Sequence, residues 1–171
     1  MKIFIGLLFI LFSQQVSFHS LSVQDSENST ISFENFVGKK VLIANIATNS
    51  PDSNQLQKLE ELQQLYSNNL VVIAVPSNDF GNEPRSGNEL KQFLQSHYNI
   101  HYLVTENMVV KDSAQISSLY QWLTKKTENG MTDASVSADF YKFLINENGQ
   151  LVGIYSDKIS PTDGVIRDAI K

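Results

Sequence analysis

An α/β domain built on a mixed sheet is what this sequence predicts, on three observations. Val41 to Ala47, which breaks off at Thr48-Asn49-Ser50-Pro51, and Leu70 to Pro76 are apolar, β-branched runs. Such runs read as strands buried on both faces of a sheet that helices cover. Between them Leu56, Leu59, Leu62 and Leu65 recur at helical spacing, with Glu60, Glu61, Gln63 and Gln64 interleaved. Strand, amphipathic helix and strand at this distance form a βαβ unit, so the two strands are parallel. Near the C-terminus, Asp139 to Ile145 and Gln150 to Tyr155 flank Asn146-Glu147-Asn148-Gly149, a hairpin signal with Asn-Gly at the turn.

The remaining elements follow in order. Lys2 and the uninterrupted apolar segment Ile3 to Phe12, followed by the small-residue stretch Ser13 to Ser22, have the pattern of a signal peptide. That segment, about ten residues long, is short for a bilayer core of about 30 Å, which disfavours an uncleaved membrane anchor. Cleavage is expected after Ser17 or after Ser22, so residues 1–17 are assigned to the signal and 18–171 to one domain. The chain is then exported, to a periplasm or to the outside, with no membrane association after cleavage.

Leu21 to Asp25 and Thr30 to Phe33, around the turn-rich Ser26 to Ser29, predict an N-terminal β-hairpin. Asn28-Ser29-Thr30 is formally a glycosylation sequon, with meaning only in a eukaryotic secretory pathway. Asp52 with Gln55, and Ser86 with Glu89, resemble capping boxes for the first two helices. Leu90, Phe93 and Leu94 face inward on the second, and an edge strand is expected near Tyr102-Leu103-Val104. Ile116, Leu119, Tyr120 and Leu123 mark a third helix, ended by Lys125-Lys126 and Asn129-Gly130. Ser160-Pro161 is expected to open a last helix, with Val165, Ile166, Ala169 and Ile170 inward. A parallel pair first and an antiparallel hairpin with a C-terminal helix last is the plan of a thioredoxin-like fold.

Composition narrows the function. A chain of 171 residues suits one domain able to bury about two-thirds of its unfolded surface. The formal net charge of −5, without a basic cluster, argues against nucleic acid and anionic membranes as partners. There is no cysteine. The chain therefore has neither disulfides nor a thiol for redox chemistry, metal binding or lipid attachment.

Ser50 stands just past the carboxyl end of the first buried strand, where open α/β folds collect their ligands and chemistry. The loops around it carry a resemblance. Gly38-Lys39-Lys40-Val41-Leu42-Ile43, Asn45-Ile46-Ala47-Thr48, Leu59-xx-Leu62-xxx-Tyr66 and Leu70-Val71-Val72-Ile73 all match one family. So do Pro76-Ser77-Asn78-Asp79-Phe80-Gly81, Leu119-Tyr120-xx-Leu123 and Phe140-xx-Phe143-Leu144-Ile145 with Asn148-Gly149. From about Leu21 to Ile170 the chain resembles the glutathione peroxidase family.

That resemblance implies a reactive Cys or selenocysteine after the first strand, a Gln in the second loop and a Trp-Asn pair before the last hairpin. Together these reduce peroxides with electrons from glutathione or thioredoxin. Here the reactive position falls on Ser50, the Gln on Asp79 and the pair on Ser137 and Ala138. A second family Cys falls on Ser77. All four positions of the implied peroxidase site are replaced, and Asn49, Ser77, Asn78, Phe80 and Gly81 are expected to line what remains as a ligand cleft.

The replacements remove the chemistry. A thiolate attacks the O–O bond and becomes a sulfenic acid, and a helix N-terminus can bring a thiol from a pKa of about 8.5 toward neutrality. A serine hydroxyl neither ionises comparably nor reaches such an oxidation state. Asp79 in place of an amide can only accept hydrogen bonds when ionised, and adds negative charge. An engineered Cys-to-Ser trap accounts for Ser50 and Ser77 but not for Asp79, Ser137 or Ala138; natural loss fits them all.

Other chemistries fare worse. Ser50 lacks a Gly-x-Ser-x-Gly context. His97 and His101 read as surface residues rather than a base for Ser50 or an i, i+4 metal pair. Asp52 and Asp79 are expected to cap a helix and to be solvated, in preference to holding a cation. Tyr120 and Trp122 read as core packing. The expectation is an inactive family homologue that binds an unidentified protein or small molecule, without metal or cofactor. The alternative is a peroxidase acting in oxidative stress by another route, for which glutathione or thioredoxin would be the partner.

Overall fold

The computed structural model describes residues 15–171, so most of the segment read as an export signal lies outside the described residues. The sheet is centred on β3 (Lys40–Ile46) and β4 (Leu70–Pro76), parallel and in register from Lys40 opposite Leu70 to Ile46 opposite Pro76. β6 (Lys142–Ile145) runs antiparallel beside β3 and β7 (Leu151–Tyr155) antiparallel beside β6. The two-residue β5 (Leu103–Val104) pairs parallel with β4, giving the order β5-β4-β3-β6-β7. Asn146 organises the β6–β7 turn by accepting the Asn148 and Gln150 amides on its side chain, and Gly149 (φ +76°) supplies the left-handed residue.

Why β3 shows no polar alternation is visible in its packing. Leu42, Ala44 and Ile46 face α1 (Gln55–Leu65), α2 (Gly87–Tyr98) and α5 (Gly164–Ile170), meeting Leu56, Leu59, Leu62, Leu94 and Ile166. Val41 and Ile43 belong to the opposite core, with Phe18, Phe33, Leu119, Tyr120, Trp122 and Leu123. The last four of these lie on α3 (Ser118–Thr124), which the short α4 (Lys126–Asn129) follows. Both sheet faces are therefore dry, and the strand between them is apolar from Val41 to Ala44 and again at Ile46. Tyr120 and Trp122 are core residues, as their helical spacing indicated.

The N-terminal hairpin forms from β1 (Ser22–Gln24) and β2 (Thr30–Ser32). It covers the short edge of the main sheet, with Asp25 bridging to Thr105 and the Ser26 amide donating to the Val104 carbonyl at 3.1 Å. Ahead of it, Phe18 is only 1 % exposed. Its ring stacks on Phe33 (centroids 4.8 Å) and meets Trp122 (5.1 Å), whose indole N–H donates to the Val16 carbonyl at 2.8 Å.

Several local expectations are corrected. Neither capping box closes. The Gln55 amide donates to the Asp52 backbone carbonyl (2.9 Å) rather than to its carboxylate, and the Gln55 side chain turns to the Asp157 carbonyl (2.8 Å). Ser86 does hold the N-cap position of α2 but makes no cap bond, and Glu89 leans back toward Arg85. The last helix begins at Gly164, not at Ser160-Pro161. Those residues form a turn closed by the Asp163 amide on the Ser160 carbonyl, and the Asp163 carboxylate then caps the Val165 amide. The later start rotates the inner stripe: Ile166 and Ile170 are buried, while Val165 and Ala169 face solvent. Leu65, at the frayed end of α1, is also exposed.

Lys142 is fully buried, its ammonium donating to the Ser156 and Ile159 carbonyls and so holding the turn after β7. Burial pushes it down to about 8, against the opposing pull of Asp157 and Asp52. The unfolded chain then binds a proton that the fold releases, so stability should rise as pH climbs from about 8 toward the unfolded lysine value. Between about pH 7 and pH 9 the gain is about 1 kcal/mol. Denaturation midpoints at both pH values should show it in the parent chain and not in Lys142→Met; equal slopes would refute it.

Candidate functional site

Three loops meet beyond the carboxyl ends of β3 and β4. From Thr48 the chain winds through i→i−3 backbone bonds, Ser50 to Ala47, Ser53 to Ser50 and Gln55 to Asp52, into α1. Ser50 is 6 % exposed, and its hydroxyl receives only a long bond from the Asp52 amide at 3.4 Å. It lies five residues ahead of the first helical residue, so it does not sit at the helix mouth. Asp52 does not cap that helix; its carboxylate faces Lys158 at 3.8 Å.

The next loop is tied to the first. Ser77, fully buried, donates its amide to the Ile46 carbonyl and accepts the Asp79 amide on its hydroxyl. Asn78 accepts the Glu83 amide (3.1 Å), and Gly81 (φ +78°) closes a turn onto the Asn78 carbonyl. Asn49, Asn78 and Gly81 are exposed and Phe80 is half-buried. The buried Glu83 carboxylate accepts the Thr48 amide and hydroxyl, both at 2.8 Å, and the Arg85 amide at 3.1 Å. Arg85 donates in turn to Thr48 Oγ1 and Asn49 Oδ1, with its guanidinium 4.0 Å over the Phe93 ring.

Asp79 is half-buried rather than freely solvated. Its Oδ2 accepts the Val110 amide at 2.7 Å and the Lys111 amide at 2.8 Å. Lys111 Nζ donates to the Asp79 carbonyl and lies 4.5 Å over Phe80. The carboxylate is a staple that draws residues 110–111 across the loop, so neither it nor Asp52 points at a shared cation.

The third loop approaches β6. Ser137 is exposed, its hydroxyl bonded to that of Tyr141 at 2.8 Å, and Ala138 offers only its carbonyl, to Asn45 Nδ2 at 3.0 Å. Asn45, the polar residue near the carboxyl end of β3, also accepts the Tyr141 amide and holds Phe140 (φ +62°) through its own carbonyl. The residue that reaches the other loops is Asp139, 5 % exposed. It accepts from Asn82 Nδ2 at 2.7 Å, and the Asn82 carbonyl accepts the Asn49 amide at 3.0 Å. Asp139, Asn82, Glu83 and Arg85 had escaped the sequence reading; isolated polar residues in loops show no periodicity that would single them out.

His97 and His101 are engaged elsewhere. His97 stacks on Phe93 and bonds its carbonyl, and His101 bonds Glu60. Among the described residues no group of three His, Cys, Asp or Glu could hold a metal ion, and no helix is long and apolar enough to cross a membrane. At its centre the arrangement offers a hydroxyl, carboxylates and amides. It can accept and donate hydrogen bonds, and it contains no thiol.

Comparison with known proteins gives the family and the fold. A family model described as glutathione peroxidase matches residues 18–124. The glutathione peroxidase-like peroxiredoxin gpx1 of Schizosaccharomyces pombe is 32% identical over 147 residues, covering 84% of this chain and 91% of the relative. A glutathione peroxidase of Lactococcus lactis is 27% identical over 150 residues, covering 86% and 94%. Among solved structures, apo Trgpx superposes with a TM-score of 0.69 at 24% identity, over 91% of this chain and 93% of that one. A thioredoxin-family thiol:disulfide interchange protein from Chlorobium tepidum gives 0.64 at 15% identity, over 92% and 98%, and the fold is thioredoxin-like.

Proposed function

The chain belongs to the glutathione peroxidase family, and from that premise we propose that it is an exported, non-catalytic member acting as a binding or interaction module. One observation carries the proposal: a family whose reaction runs through a thiolate or selenolate is represented here by a chain without cysteine, with Ser50 at the reactive position. The hydrogen bonding around that position supports it. Asp79 and Glu83 are spent on backbone amides, and Arg85 on Thr48 and Asn49. No base adjoins the Ser50 hydroxyl, whose one bond is from a backbone amide. The partner is a protein or small molecule that meets the rim formed by Asn49, Asn78 and Gly81. Glutathione or thioredoxin would be the electron donor only of a working peroxidase.

The test is consumption of hydrogen peroxide and of an alkyl hydroperoxide by the domain from residue 18 onward, with glutathione and thioredoxin reducing systems each supplied. The natural chain should be silent. Ser50→Cys together with Asp79→Gln should at most be oxidised once, because the donors around the position remain committed elsewhere. Turnover by the natural chain that disappears in Ser50→Ala would overturn the proposal and require a mechanism without a thiol.

A further inference from the structure

We propose that Glu60 and His101 form an acid-released latch holding the β5 edge of the sheet against α1. Glu60 lies in mid-α1, one turn after the buried Leu56 and next to the buried Leu59, and is itself 1 % exposed. Its carboxylate accepts Gln64 Nε2 at 2.7 Å on its own helix, the His101 amide at 2.6 Å and His101 Nδ1 at 2.8 Å. Both bonds from His101 come from the segment that links α2 to β5, which Asn99 (φ +48°) turns out of the helix. Two donors on one residue, aimed at one buried carboxylate, fix both the position and the direction of the chain entering the edge strand.

The groups around Glu60 make the latch responsive to acid. Beside it lies the Tyr102 hydroxyl, buried and without a hydrogen-bond partner, with Tyr98 next to that; burial and the Glu60 charge push the Tyr102 phenol up, so it stays neutral. His101, whose ring is largely exposed, supplies the cationic partner when protonated. For Glu60, burial works to raise the carboxyl, but the His101 amide and ring and the Gln64 amide outweigh it and hold the group below the usual carboxylate range. A depressed carboxyl contributes stability that is complete above its unfolded value and lost as pH falls through its folded value. A proton on Glu60 would remove the charge that three donors share, in a place water does not reach.

What lets go is small. β5 is two residues long, and on its outer side it keeps only the Ser26–Val104 bond and the Asp25–Thr105 bridge. Release therefore frees residues 99–104 before the rest of the sheet. It also widens the adjoining cavity of about 220 Å³, into which Lys91, Gln95, His101 and Tyr102 project beside Asp25 and Ser26.

Hydrogen exchange of the domain, read as protection factors so that intrinsic rates cancel, tests this. Protection at residues 100–104 should fall about tenfold or more, relative to β4, as pH is taken from about 5 to about 2.5, below the range in which the depressed Glu60 carboxyl keeps its charge, since a charge-assisted bond is worth about 1.5–3 kcal/mol. Glu60→Gln should show the low protection already at about pH 5, with little further change. His101→Ala, which removes an exposed ring and keeps the amide, should lie between the two and keep the sheet intact. Protection at 100–104 that tracks β4 at every pH in the parent chain, or an unaltered pH profile in both variants, would overturn the latch.

Discussion

Truncating Phe18 to alanine is expected to cost about 3–5 kcal/mol, among the largest losses a single side chain in this fold can produce. The ring lies between Phe33 and Trp122 in the core on the α3 side of the sheet, and no neighbouring chain is free to refill its place. For a domain of this size the loss corresponds to a fall in Tm of about 10 °C. Thermal or denaturant unfolding of Phe18→Ala measures it. A variant within about 1 kcal/mol of its parent would show that this segment is not part of the core. The same ring bears on processing: cleavage after Ser17 keeps Phe18, whereas cleavage after Ser22 removes it together with the start of β1. A chain beginning at Val23 should unfold at least as early as Phe18→Ala, and one beginning at Phe18 should stay close to the full domain.

Removing the Asp79 carboxylate should cost about 1–3 kcal/mol, because it strands the buried Val110 amide, while the exposed Lys111 amide turns to water. Asp79→Asn keeps the shape and an acceptor oxygen but loses the charge that makes such bonds about twice as strong as neutral ones. It should lose about half as much as Asp79→Ala. Unfolding midpoints rank the three chains, and exchange rates of the Val110 and Lys111 amides localise the effect. Equal stability of Asp79→Ala and its parent would mean that the carboxylate is idle in solution.

The framework was legible because it rests on bulk burial. β3, β4 and the β6–β7 hairpin announce themselves through apolar runs and an Asn-Gly turn, and the leucine stripe places α1 almost entirely. What failed was local polar choice. Asp52, Ser86 and Ser160 each have the chemistry of a cap, but backbone carbonyls or later residues take the role, which no spacing rule reveals. Glu60 was legible only as one of the polar residues interleaved with the leucine stripe, because helical spacing does not show that His101, forty-one positions away, will cover it. Asp79 was placed in the right loop and given the wrong job for the same reason, since its partners at 110–111 come from another segment. Asp139 was passed over in favour of its neighbours Ser137 and Ala138; only the tertiary arrangement turns it, rather than them, toward Asn82.

The staple at Asp79 also acts as a ratchet on the history of the molecule. A lone change of Ser50 to cysteine would place a thiol in a cluster of loops that also carries the carboxylates of Asp79, Glu83 and Asp139, whose charge works against its ionisation. Restoring the amide at Asp79 first would loosen the loop while bringing no activity to offset the loss. Each single step toward the family's site chemistry would therefore be useless or harmful by itself. If the chain is the non-catalytic member proposed above, its own stability holds it in that state.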